Sequence, residues 1–390
     1  MKKRILILLL LVGFNLHPLL AQYPFLISGE YLGGTVIPHR EGMEHLKQNP
    51  VNGAEIEIAV QLNGNDDWHV VYHYPVTGLG LHYNNLGYDE VLGYAAGFYG
   101  FIDIPIRRWN RAELIYKLSS GLTYNSKRFL VNANPTNIAI STRVNYLFNT
   151  GFHFRYWMSD KYAVNVGVEL THYSNGAIRK PNKGLNQLNI NAGLSYYLTG
   201  SYDSYRDMKR PIVWDPSHEV YLLGVLGKTN IYKGFSDPDH PEINSGTNQT
   251  YFTGGVSAGW NYRYAPKRKA GLSLDGFYNE SFNWSYWDSV FCDNKLTFSQ
   301  LTRTGIGINH EFYMKRLSIF TGLGIYIVRS PKVLESKADE WMYERVGFRY
   351  YILRNVFLNV SVKAYGFKAE SVEFGMGLSL NRIYSNFWQD

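Results

Sequence analysis

The sequence has one cysteine, Cys292, among 390 residues, so the chain can form neither an internal disulfide nor a thiolate metal cluster. Beyond the N-terminus, no apolar run approaches the roughly 20 residues that a membrane-spanning helix needs. Zinc-ligand spacing and a dinucleotide-binding fingerprint are also missing, and we expect no metal and no cofactor. A membrane barrel stays open, because its strands leave a much weaker trace in a sequence than spanning helices do.

The N-terminus has the pattern of a secretory signal peptide. Three basic residues at positions 2–4 precede an apolar run over 5–14, and Ala21 is a small residue at the expected cut. We predict that residues 1–21 direct export and are removed. Loss of the three basic residues lowers the formal charge of +7 by three, and the remainder is too modest to indicate nucleic-acid binding.

Segments of about ten residues with alternating apolar and polar side chains follow Gln22, which is the spacing of strands in outer-membrane barrels. Aromatic residues make up 16% of the chain, and many lie near segment ends, as in the aromatic belts at membrane interfaces. Short and long connections alternate, as expected for a barrel with short turns at its periplasmic end and long loops at the other end. The predicted strands lie near 24–34, 52–63, 68–83, 94–105, 111–123, 144–157, 162–174, 186–198, 219–228, 250–264, 269–281, 298–314, 316–329, 342–353, 355–366 and 370–382.

The predicted fold class is therefore all-β, a transmembrane antiparallel outer-membrane barrel of about 16 strands. We predict a first barrel half over 22–198, a polar linker or periplasmic turn over 199–217, and a second half over 218–390 to which the sequence assigns no role. The two sets of eight strands suit one wide barrel or two tandem eight-stranded barrels. We favour one barrel, because single-chain barrels of sixteen strands are common.

Charged residues of both signs fall on the polar faces of these strands. Such a face suits a water-lined or ion-paired lumen and not the core of a soluble sandwich. We therefore favour a membrane barrel over a secreted β-sandwich. The predicted inward charges include Glu55, Glu57, Asp103, Glu113, Lys117, Arg155, Arg345 and Arg349.

Reactive side chains lie on the apolar faces of the seventh and eighth strands. His172 and Ser174 are two residues apart on one strand face, so an imidazole can take a proton from a hydroxyl that attacks an ester. Asn186 begins the next strand on the same face and can orient the ring. Asn175, or the backbone N–H groups around Gly176, can bind the developing oxyanion. The alternative is a polar strand end at the level of the lipid headgroups.

The run His172-Tyr173-Ser174-Asn175-Gly176, followed by Lys180-Pro181-Asn182 and Gly184, resembles the signature of the outer-membrane lipid A 3-O-deacylases of the PagL type. The resemblance covers roughly residues 24–198, most strongly 166–198. It implies a barrel with the site on its outer wall, His172 as general base, Ser174 as nucleophile and Asn175 in the oxyanion hole. The family's third member is a glutamate, and Asn186 occupies that position here.

The resemblance also implies a substrate and a location. Lipid A, or lipopolysaccharide, carries phosphates that Arg179, Lys180 and Lys183 can bind, although a basic loop can also be simply solvated. We expect a serine esterase in the outer membrane, inserted by the barrel-assembly machinery. The closing aromatic residues Tyr384, Phe387 and Trp388 resemble the C-terminal signal of such proteins. The rival is a non-catalytic barrel, either a pore or a structural protein.

Overall fold

The computed structural model describes residues 23–202, 211–235, 245–283, 296–329 and 341–381. The predicted signal peptide and the C-terminal aromatic cluster lie outside these residues. Within the described ranges, no helix is both long enough and apolar enough to span a membrane.

Sixteen antiparallel strands make up most of the described chain. Three short helical turns accompany them: Glu44–Leu46, Asp67–Val71 (α1) and Phe298–Leu301. The strands are β1 Phe25–Ile37, β2 Val51–Gln61, β3 Val76–Asn85, β4 Tyr94–Arg108, β5 Ala112–Asn125, β6 Val144–Trp157, β7 Tyr162–Ser174, β8 Leu185–Thr199, β9 Ser217–Phe235, β10 Ser245–Ala265, β11 Arg268–Asn279, β12 Thr302–Met314, β13 Leu317–Val328, β14 Met342–Leu353, β15 Val356–Tyr365 and β16 Lys368–Asn381.

The strands close into two separate eight-stranded barrels, so the prediction of one wide barrel is wrong. Strand β8 pairs with β1 along nearly its whole length, and β16 pairs with β9. Each barrel lies in its own compact unit of the chain. Alternation of side chains is the same in a wide and a narrow barrel, whereas the strand that closes the sheet is chosen by hydrogen bonding between distant residues.

Two predicted strands begin too early: the strand predicted from 298 starts at Thr302, after the helical turn Phe298–Leu301, and the strand predicted from 68 is misplaced further. Residues 67–71 form α1, and β3 starts only at Val76. The sequence from Trp68 to Tyr72 does not alternate polar and apolar residues, so it lacks the period of a half-buried strand. The side chain of Gln61 donates to the carbonyl of Tyr74 at 2.6 Å, which fixes the connection at the end of the barrel.

The inward charges of the first barrel are paired with one another, as predicted for the lumen. Lys117 is 2% exposed, and its ammonium lies 2.6 Å from Glu57, 3.5 Å from Glu55 and 3.6 Å from Glu169. The hydroxyl of Tyr99 donates to Glu55 at 2.8 Å and to Glu57 at 2.9 Å. Buried side chains therefore fill this bore, as expected for a barrel of eight strands.

The second barrel has a similar interior. Lys269 forms an ion pair with Glu219 and lies 3.0 Å from Glu311, which also binds Arg349 at 3.0 Å. Arg345 lies 2.9 Å from Glu373. All eight charges that the sequence predicts to point inward are buried. Among them, Arg155 lies 2.8 Å from Asp103.

The outer walls are apolar and exposed. In the first barrel Ile56 is 65% exposed, Leu79 62% and Ile190 63%. Rings of exposed Leu, Ile, Val and Phe around a barrel are the expected surface toward lipid.

The long-loop end of the first barrel is covered by its own connections. Met43, Leu46, Leu86, Leu92 and Ile140 come from three different loops and are all buried in one cluster. This packing joins the three loops at the end of the barrel where β7 ends and β8 begins.

Candidate functional site

His172 lies near the end of β7, on the outward face of the barrel wall. The residues before it on the same face, Val166, Val168 and Leu170, are 40–50% exposed, whereas the alternate residue Glu169 is fully buried. His172 stands directly opposite Asn186 of β8 on one side and Phe148 of β6 on the other. The outward position predicted from the alternation is therefore the observed one.

The imidazole of His172 is held by the side chain of Asn186. Nδ1 of the ring and Oδ1 of the amide are 2.5 Å apart. An amide oxygen can only accept a hydrogen bond, so with the amide in this orientation Nδ1 carries the proton. Nε2 is then the unprotonated nitrogen, which is the state that a general base requires.

Ser174 lies two residues farther along β7, on the same face as His172. Strand geometry separates their Cα atoms by about 7 Å, which is within reach of side-chain contact. Ser174 is 9% exposed and stands opposite Tyr146, whose hydroxyl is 2.8 Å from that of Ser120. The nucleophile candidate is therefore at the edge of a half-buried polar patch on the outer wall.

Gly184 is a site residue whose role the sequence did not reveal, although it belongs to the signature. Its backbone has a φ of +77°, and its N–H donates to the carbonyl of Ala139 at 3.1 Å. A Cβ at this position would lie 2.7 Å from Cε1 of His172 and 3.5 Å from Nε2. Only a glycine leaves room for the ring here without strain.

The loop after Ser174 is braced by Asn175, the predicted oxyanion residue. Its side-chain Nδ2 donates to the carbonyl of Arg179 at 2.9 Å, and its backbone N–H donates to Oδ1 of Asn182 at 3.3 Å. Gly176 follows with a φ of +63°. Asn175 and Gly176, the residues predicted to bind an oxyanion, thus stand at the start of this loop, directly after Ser174.

The predicted phosphate-binding residues lie in the same loop. Arg179, Lys180 and Lys183 are all partly exposed. A histidine, His39, and a cationic residue, Arg40, follow β1, whose last residue Ile37 stands opposite Asn186. Within the described ranges, no group of three His, Cys, Asp or Glu side chains is arranged to hold a metal ion.

The nearest carboxylate in the sequence does not serve the site. Glu169 is fully buried on the lumen face, where it accepts a hydrogen bond from Asn149 at 2.6 Å and lies 2.7 Å from Nε2 of His153. It therefore does not contact the ring of His172, which lies on the opposite face of β7.

The first barrel thus presents, on its outer wall, a histidine that is hydrogen-bonded to an amide and lies two residues from a serine. Two family models match the chain: "Lipid A 3-O-deacylase (PagL)" over residues 52–195 and "Acyloxyacyl hydrolase, C-terminal domain" over residues 217–382. The first match falls within the first barrel and the second spans the second barrel. The chain belongs to this PagL-type family.

Other comparisons add little. No curated protein matches. A mutant of the porin from Rh. blastica aligns at 11% identity over 91% of this chain and 99% of its own, with a TM-score of 0.17. CdiB from Acinetobacter baumannii aligns at 8% identity over 91% of this chain and 60% of its own, with a TM-score of 0.19. With TM-scores this low, no inference is drawn from either structure.

Proposed function

We propose that this protein is an outer-membrane serine esterase that removes an ester-linked acyl chain from lipid A or a related glycolipid. The observation that carries the proposal is the hydrogen bond between His172 and Asn186 on the lipid-facing wall, beside Ser174. The ester of a membrane lipid can reach a site on the outer wall, whereas it cannot reach a site inside the bore. The names of both matching families agree with this chemistry.

In the proposed mechanism, the Oγ atom of Ser174 forms a bond to the ester carbonyl carbon while Nε2 of His172 takes the hydroxyl proton. The carbonyl oxygen becomes an oxyanion, which Asn175 or the N–H of Gly176 stabilises. The C–O bond to the sugar then breaks, and His172 returns the proton to the leaving oxygen. Water, deprotonated by the same ring, releases the fatty acid and restores Ser174.

Asn186 keeps the ring in the productive tautomer but carries no charge. The related deacylases have a glutamate there, as the resemblance implies, and a carboxylate would also offset the charge of the imidazolium. We therefore expect this chain to work more slowly than a variant with a carboxylate at position 186, and not to be inactive.

The substrate assignment depends on charge and location. Arg179, Lys180 and Lys183 are proposed to bind the phosphates of lipid A at headgroup level, because cations there pair with phosphate oxygens. Residues 1–21 are proposed to direct export, and the barrel-assembly machinery to insert the chain. The barrel fold and the family are consistent with the outer membrane.

The domain assignment follows from the same proposal. We assign the esterase to 22–198, a connecting segment to 199–217, and an accessory barrel to 218–390. The described strands β8 and β9 end and begin close to these limits.

A non-catalytic barrel is the rival function. A pore needs an open bore, and the interiors of both barrels contain buried, mutually paired charges, such as Lys117 in the first and Lys269 in the second. These interiors favour the enzyme over a pore, while a structural barrel remains the alternative that only an activity assay separates.

The test in cells is the mass of lipid A with and without the protein. Cells that express the chain should contain lipid A lighter by one acyl chain. Unchanged masses in cells whose outer membrane contains the assembled barrel count against the proposal.

A further inference from the structure

Tyr264, Arg268 and His310 form a polar cluster on the outer wall of the second barrel; we name it the Arg268 cluster. It lies where β10 and β11 join through a tight turn, at the short-turn end of the barrel. The hydroxyl of Tyr264 is 2.7 Å from Nε2 of His310, and the guanidinium of Arg268 lies 5.8 Å from the ring of Phe312. Polar side chains are unusual on a wall that otherwise faces lipid, so their grouping requires an explanation.

Strand β11 lies between β10, which carries Tyr264, and β12, which carries His310. On β11, Ala270 stands opposite His310 of β12 on one side and opposite Tyr262 of β10 on the other. The Tyr264 hydroxyl reaches Nε2 of His310 across β11, where the side chain of Ala270 is a single methyl group. Arg268 lies two residues before Ala270 and therefore shares its face of β11.

The pair of Tyr264 and His310 keeps a hydrogen-bond donor in either tautomer of the ring. When Nε2 accepts from the tyrosine, Nδ1 carries a proton, and when Nε2 donates, the tyrosine O–H is the second donor. Together with the guanidinium of Arg268, the cluster therefore presents a positive charge and a hydrogen-bond donor on the outer wall. Glu311, the acidic neighbour of His310 in the chain, points into the lumen, where it lies 3.0 Å from Lys269 and 3.0 Å from Arg349.

The wall next to the cluster is strongly apolar. Leu272 is 59% exposed, Ile308 60% and Trp260 43%. Leu272 and Ile308 are the next outward residues of β11 and β12 after Ala270 and His310, toward the middle of the barrel. A molecule with an anionic head and hydrocarbon tails matches this change from a polar cluster to an apolar wall.

We propose that the Arg268 cluster binds the phosphate of a phospholipid headgroup, with the acyl chains along Leu272 and Ile308. A guanidinium matches phosphate oxygens in a bidentate fashion, and tyrosines are favoured where the headgroups meet the hydrocarbon. Short turns of outer-membrane barrels face the periplasm, so the lipid belongs to the periplasmic leaflet. The site is independent of the esterase, and its test does not involve hydrolysis.

The test is native mass spectrometry of the purified full chain in detergent, mixed with phosphatidylglycerol or with diacylglycerol of the same acyl chains. Wild-type protein should retain phosphatidylglycerol preferentially. Arg268→Ala should lower that retention by about tenfold, the effect of one strong contact. Arg268→Lys should be intermediate, because an ammonium lacks the bidentate geometry.

The matched control is Arg354→Ala, which removes an exposed arginine from the turn between β14 and β15 and should retain the lipid like wild type. Heat-modifiable migration on gels checks that each barrel is assembled, and His310→Gln replaces Arg268→Ala if that variant does not assemble. Equal retention in the Arg268 and Arg354 variants, equal retention of diacylglycerol, or displacement of the lipid by millimolar inorganic phosphate would each overturn the proposal.

Discussion

His172 and Asn186 stand directly opposite each other in the antiparallel register of β7 and β8, and their side chains meet at 2.5 Å on the outward face of the first barrel. The register fixes the pair, because two residues opposite each other share a face and have neighbouring Cβ atoms. A neutral amide thus takes the place that a carboxylate has in many catalytic histidine pairs. The first prediction follows from this difference.

Asn186→Asp should raise the rate of ester hydrolysis. The aspartate has the same shape as asparagine, and its carboxylate would stabilise the imidazolium that forms when Ser174 loses its proton. We expect a gain of roughly tenfold in kcat, equivalent to about 1.4 kcal/mol of transition-state stabilisation. Asn186→Ala should lower kcat by about 100-fold, because the tautomer is no longer selected. The assay is release of fatty acid by the purified variants, and equal rates in all three proteins would show that Asn186 does not act on the ring.

Gly184→Ala should lower activity by displacing the imidazole. The added Cβ would lie 2.7 Å from Cε1 of His172, and a shift of about 1 Å at a catalytic group costs about 100-fold in rate. The readout is kcat on an activated aryl ester, with KM expected to change little.

The matched control for Gly184 is Gly366→Ala in the second barrel. Gly366 also has a positive φ, of +53°, but nothing lies within 4 Å of its would-be Cβ. That variant has similar backbone strain without the clash and should keep wild-type activity. In a His172→Ala background, Gly184→Ala should have a much smaller effect, because the ring it would displace is gone. Additive losses would assign Gly184 a purely structural role.

Lys117→Met should destabilise the first barrel. It removes the cation from three buried carboxylates, including Glu57 at 2.6 Å, and leaves them without that partner. Removing one partner of a buried ion pair lowers the free energy of unfolding by about 3–5 kcal/mol. Urea unfolding in lipid, followed by heat-modifiable migration, measures the change. Lys47→Met, at an exposed loop position, should have almost no effect, and a Lys117 variant as stable as that control would contradict the account of the lumen.

The purified chain should not conduct ions in planar bilayers. Eight-stranded barrels have a bore that side chains fill, and Trp157, Tyr197 and Tyr202 stack at the short-turn end of the first barrel with ring centroids 4.9 and 5.2 Å apart. Regular single-channel steps, unchanged in Ser174→Ala, would instead support the pore.

The outward direction of the His172 side chain could be predicted from the sequence, because side-chain alternation along a strand is a local property. Val168, Leu170 and His172 follow one another at intervals of two residues, so one apolar face determines the direction of the histidine. The same alternation correctly directs Glu169 and Lys117 into the lumen. The strand boundaries agree to within a few residues where alternation is regular, as in β6 and β7.

Features that depend on contacts between distant residues could not be predicted in this way. The pairing of Ile37 with Asn186 closes the first barrel, and nothing in either strand taken alone specifies it. The function of Gly184 likewise depends on the approach of its backbone to His172, twelve positions earlier in the chain. The prediction of a strand over 68–83 is wrong at its start, because the segment that forms α1 does not alternate polar and apolar residues.

The most direct test is the mass of lipid A after incubation with purified protein in detergent micelles, comparing wild type with Ser174→Ala. The hydroxyl of Ser174 forms the covalent bond in the proposed reaction, so its removal should abolish acyl release while leaving barrel assembly intact. The account predicts a species lighter by one acyl chain, together with free fatty acid, only with the wild type. Equal acyl release by both proteins, or none by an assembled wild type, would contradict it.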